Sequence, residues 1–146
     1  YLTPQGEIKV MKKDDMLFGY RKSVFSENSC AVLSATFALK NGSAQEIKSK
    51  MDDFMSRRKS KQPLEYPSAG SVFKRPEGYF AGALIEECSL KGFSIGGAQV
   101  SEKHAGFIIN KGSASAKDVM DLIEYIKDKV LKEKGVKLEP EIKLIG

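Results

Sequence analysis

The sequence predicts an α+β protein. Three observations carry this. Two segments repeat apolar residues at helical spacing, Ala44, Ile47, Met51, Phe54 and Met55 in one, and Val119, Leu122, Ile123, Ile126 and Val130 in the other. Short apolar runs bounded by Gly, Asn or Pro read as strands. Finally, 41% hydrophobic content over 146 residues is ordinary for a packed globular core.

In chain order, Tyr1-Leu2-Thr3, a Pro4-Gln5-Gly6 turn and the alternation of Ile8 and Val10 predict an edge hairpin. The apolar segment 16–20 ends in Arg21 and Ser23. An arginine beside apolar residues needs a partner, either a structural ion pair or the carboxylate or phosphate of a ligand. Residues 29–40 place Leu33, Ala35, Phe37 and Leu39 on one face and are expected to form a central strand. Asn41-Gly42 ends it. Ser43 with Glu46 forms a capping box for a helix to about Lys59, whose apolar stripe is expected to be core.

That helix runs into the cations Arg57, Arg58, Lys59 and Lys61, and then into Pro67-Ser68-Ala69-Gly70-Ser71-Val72-Phe73-Lys74-Arg75-Pro76. Gly70-Ser71 reads as a sharp loop, with Val72-Phe73 a short buried strand beyond it. Glycine allows a backbone conformation closed to side chains, so Ser71 can turn its hydroxyl into a cleft beside two cations. The same residues also suit a plain strand with a turn at each end. A short helix over 81–89, strands over 93–100 and 106–110, a helix from Ser115 closed by Gly135, and a last strand over 138–145 complete the expected elements. His104, the lone histidine, sits in the connection before Gly106 and suits a hydrogen-bonded loop residue as well as a site residue. Glu141, at the start of the last strand, reads by itself as a surface residue.

Composition bounds the function. The two cysteines, Cys30 and Cys88, lie far apart in apolar runs and suit buried reduced thiols. One histidine and no CxxC leave no zinc set, and no metal held by side chains alone is expected. No run of about 18 apolar residues suggests a membrane span, and the expected location is cytoplasmic. A formal charge of +5 suits small polyanions as well as nucleic acid. Against a basic nucleic-acid-binding module stand the absence of Trp and of an aromatic-basic strand. Gly92-Phe93-Ser94-Ile95-Gly96-Gly97 runs into a strand rather than a helix, so it is not a dinucleotide fingerprint, and no phosphate-binding P-loop occurs.

Several motifs in order resemble one family. They are Phe18-Gly19-Tyr20-Arg21-Lys22-Ser23-Val24-Phe25, Gln62-Pro63 leading into the 67–76 stretch, Ala81-Gly82-Ala83-Leu84-Ile85, Leu90-Lys91-Gly92, Ile95-Gly96-Gly97-Ala98, Lys103-His104-Ala105-Gly106-Phe107-Ile108-Ile109-Asn110 and Leu138-Glu139-Pro140-Glu141-Ile142. Together they resemble the C-terminal half of the UDP-N-acetylenolpyruvoylglucosamine reductase (UDP-N-acetylmuramate dehydrogenase) family.

The resemblance implies a reaction of bacterial peptidoglycan synthesis. NADPH reduces FAD, and the flavin delivers hydride to the enolpyruvyl double bond of UDP-N-acetylglucosamine enolpyruvate. It implies that Arg21 binds the enolpyruvyl carboxylate, Glu141 helps to stabilise the enolic intermediate and Ser71 protonates the adjacent carbon. Lys74 would stabilise the Ser71 alkoxide, and Lys61, Arg75 and His104 fall where the family contacts the substrate diphosphate and uridine. Arg75 stands where many members carry asparagine, and His104 where some carry glutamine. The resemblance further implies that residues 1–40 are the end of an FAD-binding mixed-sheet subdomain and 41–146 a small α+β substrate-binding domain. The chain thus reads as a fragment whose FAD is bound mainly by an N-terminal region outside it, with no nucleic-acid or membrane partner.

Overall fold

The computed structural model describes residues 1–144, so Ile145 of the expected last strand lies outside the described residues. The chain divides into two compact units, Tyr1–Ser43 and Ala44–Gly146.

The first unit begins with the expected turn, closed by the Gly6 N–H donating to the Thr3 carbonyl at 2.9 Å. Leu2 bridges Ile8 on one side and Ala31 on the other. Two short 3-10 turns follow, Lys13–Met16 and Val24–Ser26. The expected central strand over 29–40 does not form. Only Ala31 pairs, and the chain beyond it forms no regular element up to residue 43, with Leu33, Phe37 and Leu39 exposed. Alternation prepares a face, but a ladder also needs a neighbour whose donors and acceptors are in register, and among the described residues Leu2 alone supplies one.

The second unit opens with helix α1 (Ala44–Lys61), longer at its C-terminal end than expected. Its apolar stripe is not core: Ile47, Met51, Phe54 and Met55 are all exposed. The core lies elsewhere, on one face of a four-stranded antiparallel sheet of order β1-β4-β3-β2, made of β1 (Ser68–Ser71), β2 (Ser94–Ile95), β3 (Ala98–Val100) and β4 (Phe107–Asn110). Residues 93–100, expected as one strand, are a hairpin. Gly96-Gly97 makes the two-residue connection, and Ser94 pairs with Gln99. A Cβ at Gly97 would stand 2.4 Å from the Gly112 carbonyl oxygen, so glycine is required where the two loops touch.

Two helices cover this sheet, α2 (Ala81–Glu87) and α3 (Ala116–Lys134). Leu122, Ile123, Ile126 and Val130 of α3 are fully buried against Ala98, Val100 and Ile108 of the sheet and Leu84 and Ile85 of α2. Helix α3 starts at the expected capping box, in which Ser115 Oγ accepts from the Asp118 N–H and Asp118 accepts from the Ser115 N–H. Gly135, in the left-handed region, ends it. Asp118 also accepts from the Gly97 N–H, tying the helix start to the β2–β3 turn. The Ser115 N–H first, and then that of Gly97, hold its carboxyl below the ordinary value.

The expected last strand reduces to one bridge, Pro140 opposite Phe73. The Lys74 N–H donates to the Glu139 carbonyl at 2.9 Å and the Glu141 N–H to the Val72 carbonyl at 2.7 Å. Pro140 therefore occupies a non-hydrogen-bonded position, where its missing N–H costs nothing.

Candidate functional site

The site is built on an irregularity in β1. Ser68 pairs with Ile109 and Ser71 with Phe107, so three steps along β1 match two along β4. The extra residue is a β-bulge, and Gly70 within it has φ +88°. Regular alternation would place Ser68 and Ser71 on opposite faces; the bulge puts both on the face away from the α2–α3 core. The expected loop at Gly70-Ser71 is thus a bulged strand, while Val72 and Phe73 beyond it are buried as expected.

Val72 stitches three segments together. Its N–H donates to the Gly106 carbonyl at 2.9 Å and its carbonyl accepts from Glu141. Ser71 and Lys74 are thereby held against the 139–141 segment by backbone bonds, with the Glu141 side chain half-buried. The Lys74 ammonium is hydrogen-bonded to the Glu139 carboxylate. The sequence gives Glu139 no role of its own; its place opposite Lys74 is set by the Phe73–Pro140 bridge.

His104 joins the same neighbourhood from the β3–β4 connection. Ser101 Oγ, almost fully buried, accepts from the N–H groups of Lys103 and His104, and the Phe107 N–H donates to the His104 carbonyl. The imidazole meets the Phe107 ring edge-on, with centroids 5.0 Å apart. Its Nδ1 accepts from the Gly106 N–H at 3.1 Å.

The other predicted residues have surroundings of their own. Arg75 lays its guanidinium over the Phe80 ring, 4.1 Å from the centroid, and is exposed. Lys61 is exposed in the last turn of α1. Arg21 belongs to the first unit, at the tip of a tight turn closed by Gly19 and Lys22, with φ +55° and its guanidinium 5.9 Å from the Tyr20 ring centroid. The structure thus brings together Ser71, Lys74, His104 and Glu141.

A cleft of about 250 Å³ opens beside β3 and β4, lined by Gln99, Ile109, Tyr66, Lys103 and Lys111 among others, and by none of the predicted site residues. The Lys103–Glu65 ion pair and the Lys111–Tyr66 contact border it. The Glu65 carboxylate is held below its ordinary value, by its own backbone N–H first and then by Lys103. Both cysteines are unbridged: Cys88 is buried and Cys30, against expectation, only half-buried. Burial first, and then Glu133, pushes the Cys88 thiol up, so it stays protonated and inert as a nucleophile. Among the described residues, no group of three His, Cys, Asp or Glu side chains is placed to hold a metal ion. No helix among them is long and apolar enough to cross a membrane.

Comparison with known proteins agrees with this architecture. The family model described as UDP-N-acetylenolpyruvoylglucosamine reductase, C-terminal domain, matches residues 62–145. The UDP-N-acetylenolpyruvoylglucosamine reductase of Agathobacter rectalis is 55% identical over 145 residues, covering 99% of this chain and 46% of the relative. That of Pediococcus pentosaceus is 56% identical over 145 residues, covering 99% and 48%. The crystal structure of UDP-N-acetylenolpyruvylglucosamine reductase from Thermus caldophilus superposes with a TM-score of 0.77 at 36% identity, covering 95% of this chain and 50% of that one. The chain spans about half the length of the curated relatives it matches. A family model that accounts for most of the second unit, and relatives at this identity over nearly the whole chain, establish that the chain belongs to the UDP-N-acetylenolpyruvoylglucosamine reductase family, of which it carries the C-terminal part.

Proposed function

We propose that this chain supplies the substrate-binding and proton-donating side of a cytoplasmic reductase that converts UDP-N-acetylglucosamine enolpyruvate to UDP-N-acetylmuramate. Residues 1–40 belong, in this reading, to an FAD-binding domain and residues 41–146 to the substrate-binding domain. The observation that carries it is the bulge at Gly70, which turns Ser71 away from the core in a segment bonded to both Gly106 and Glu141.

Reducing an enolpyruvyl double bond requires hydride at one carbon and a proton at the other. The hydride chemistry belongs to FAD, with NADPH as its reductant. The described residues do not by themselves fit that cofactor. The 32–43 segment forms no regular element and is exposed. The steps assigned to this chain are therefore those of its own side chains. Ser71 Oγ gives its proton to the carbon, and the Lys74 ammonium stabilises the alkoxide left behind. Glu141 acts on the enolic intermediate, and Arg21 binds the carboxylate, where charge accumulates during reduction. Lys61, Arg75 and His104 bind the UDP portion.

Calorimetric titration of the chain with UDP-N-acetylglucosamine enolpyruvate tests the substrate side. Saturable binding that is lost in Arg75→Ala supports it. No binding in a sample with native circular dichroism sinks the claim that this chain carries a substrate site of its own.

A further inference from the structure

Gly82 and Gly106 are not explained by backbone conformation, since neither is in the left-handed region that favours glycine. Nor does a helix favour glycine at 82. Both positions instead crowd one imidazole. A Cβ at Gly106 would stand 3.0 Å from His104 Cε1 and 3.1 Å from Nδ1; a Cβ at Gly82 would stand 3.2 Å from Cε1 and 3.3 Å from the Gly106 nitrogen. Two separate elements thus leave out a side chain to seat the same ring.

The seat also sets the ring's chemistry. Because Nδ1 accepts from the Gly106 N–H, it is the unprotonated nitrogen, and Nε2 carries the proton. The Ser71 hydroxyl lies 3.7 Å from the point where the Gly106 Cβ would be, so ring and hydroxyl flank the same α-carbon.

We propose that Gly82 and Gly106 are positioning residues that lock His104 as the Nε2–H tautomer, presenting one neutral hydrogen-bond donor beside Ser71 for an acceptor oxygen of the bound nucleotide. This rests on the reading above that the Ser71 face binds a UDP-linked substrate. A charged ring would lose the Gly106 bond, because Nδ1 would itself become a donor. Glutamine can reproduce the pattern, its carbonyl accepting from Gly106 and its amide donating in place of Nε2.

The test is nitrogen-15 NMR of the imidazole in the whole chain, at a pH where the ring is neutral, with UDP as probe. Wild type is expected to show a single Nε2–H tautomer, with the Nε2 resonance shifting on UDP addition. Gly82→Ala and Gly106→Ala, folded by circular dichroism, are expected to show mixed tautomers and to bind UDP more weakly by up to about tenfold, the range of one neutral hydrogen bond. His104→Gln is expected to retain affinity and His104→Phe to lose it. A protonated Nδ1 in wild type, or alanine variants with an unchanged tautomer, overturns the proposal. Failure of wild type to bind UDP would overturn the substrate reading instead, and the tautomer comparison would still decide the seat.

Discussion

Gly70→Ala isolates the feature that aims Ser71. A Cβ at residue 70 meets nothing within 4 Å, so no clash contributes, and the whole cost comes from φ +88°. Holding an L side chain in the left-handed region costs about 1–2 kcal/mol. In a unit of this size that corresponds to a fall in Tm of roughly 5–15 °C. Asparagine tolerates this conformation better than alanine, so Gly70→Asn is expected to lose less than half as much. The chain can also respond by straightening the bulge. Residue 70 would then oppose Phe107, and Ser71 would turn toward the α2–α3 core. Thermal and urea unfolding of both variants, with amide hydrogen exchange across β1 and β4, distinguishes a strained bulge from a straightened one. A Gly70→Ala protein that melts like wild type, or a Gly70→Asn protein less stable than the alanine variant, refutes the claim that a left-handed residue sets the direction of Ser71.

Other outcomes follow from the packing. Ile126→Ala removes a fully buried side chain between α3 and the sheet and should cost about 2–5 kcal/mol by urea unfolding. The Asp118 carboxyl sits below its ordinary value of 3.8 in the folded protein, so its contribution is complete above that value. It is lost as pH falls through the lower folded value. Asp118→Asn should therefore have a flatter stability profile on the acid side, measured as Tm against pH. Glu139→Gln should change unfolding by less than about 1 kcal/mol, because its pair with Lys74 is largely solvated. Nucleotide-sugar affinity should nevertheless change, since Lys74 loses the group that holds its ammonium.

The parts legible in the sequence were those fixed by local chemistry. The α3 capping box, its buried stripe and its Gly135 stop all needed only neighbouring residues. Ser71 was found as a candidate because Gly70 announced an irregular backbone. The kind of irregularity was not readable, because a bulge is defined by its partner, and no local pattern pairs Ser71 with Phe107. The β2–β3 hairpin shows a different failure. The apolar run from Phe93 to Val100 hid a Gly96-Gly97 turn that its dipeptide already signals. Gly82 and Gly106 were unreadable for a third reason: their role lies in the space they leave for a histidine that α2 meets only after folding.

The stripe of α1 and the alternation of Leu33, Phe37 and Leu39 share one cause of error. Periodicity shows that a segment has an apolar face; it does not show that anything in the same chain covers that face. In α3 the stripe meets the sheet and is buried, whereas in α1 Met51 and Phe54 remain more than 60% exposed. Equal-looking stripes should therefore respond unequally to charge. Phe54→Asp moves no buried atom and is expected to alter unfolding of this chain by no more than about 0.5 kcal/mol. Ile123→Asp forces a carboxylate into a dry core and is expected to prevent folding. Urea titrations of the two variants compare them directly. A large loss in Phe54→Asp would mean that the α1 face is packed within this chain after all, and would restore the burial that its periodicity alone suggested.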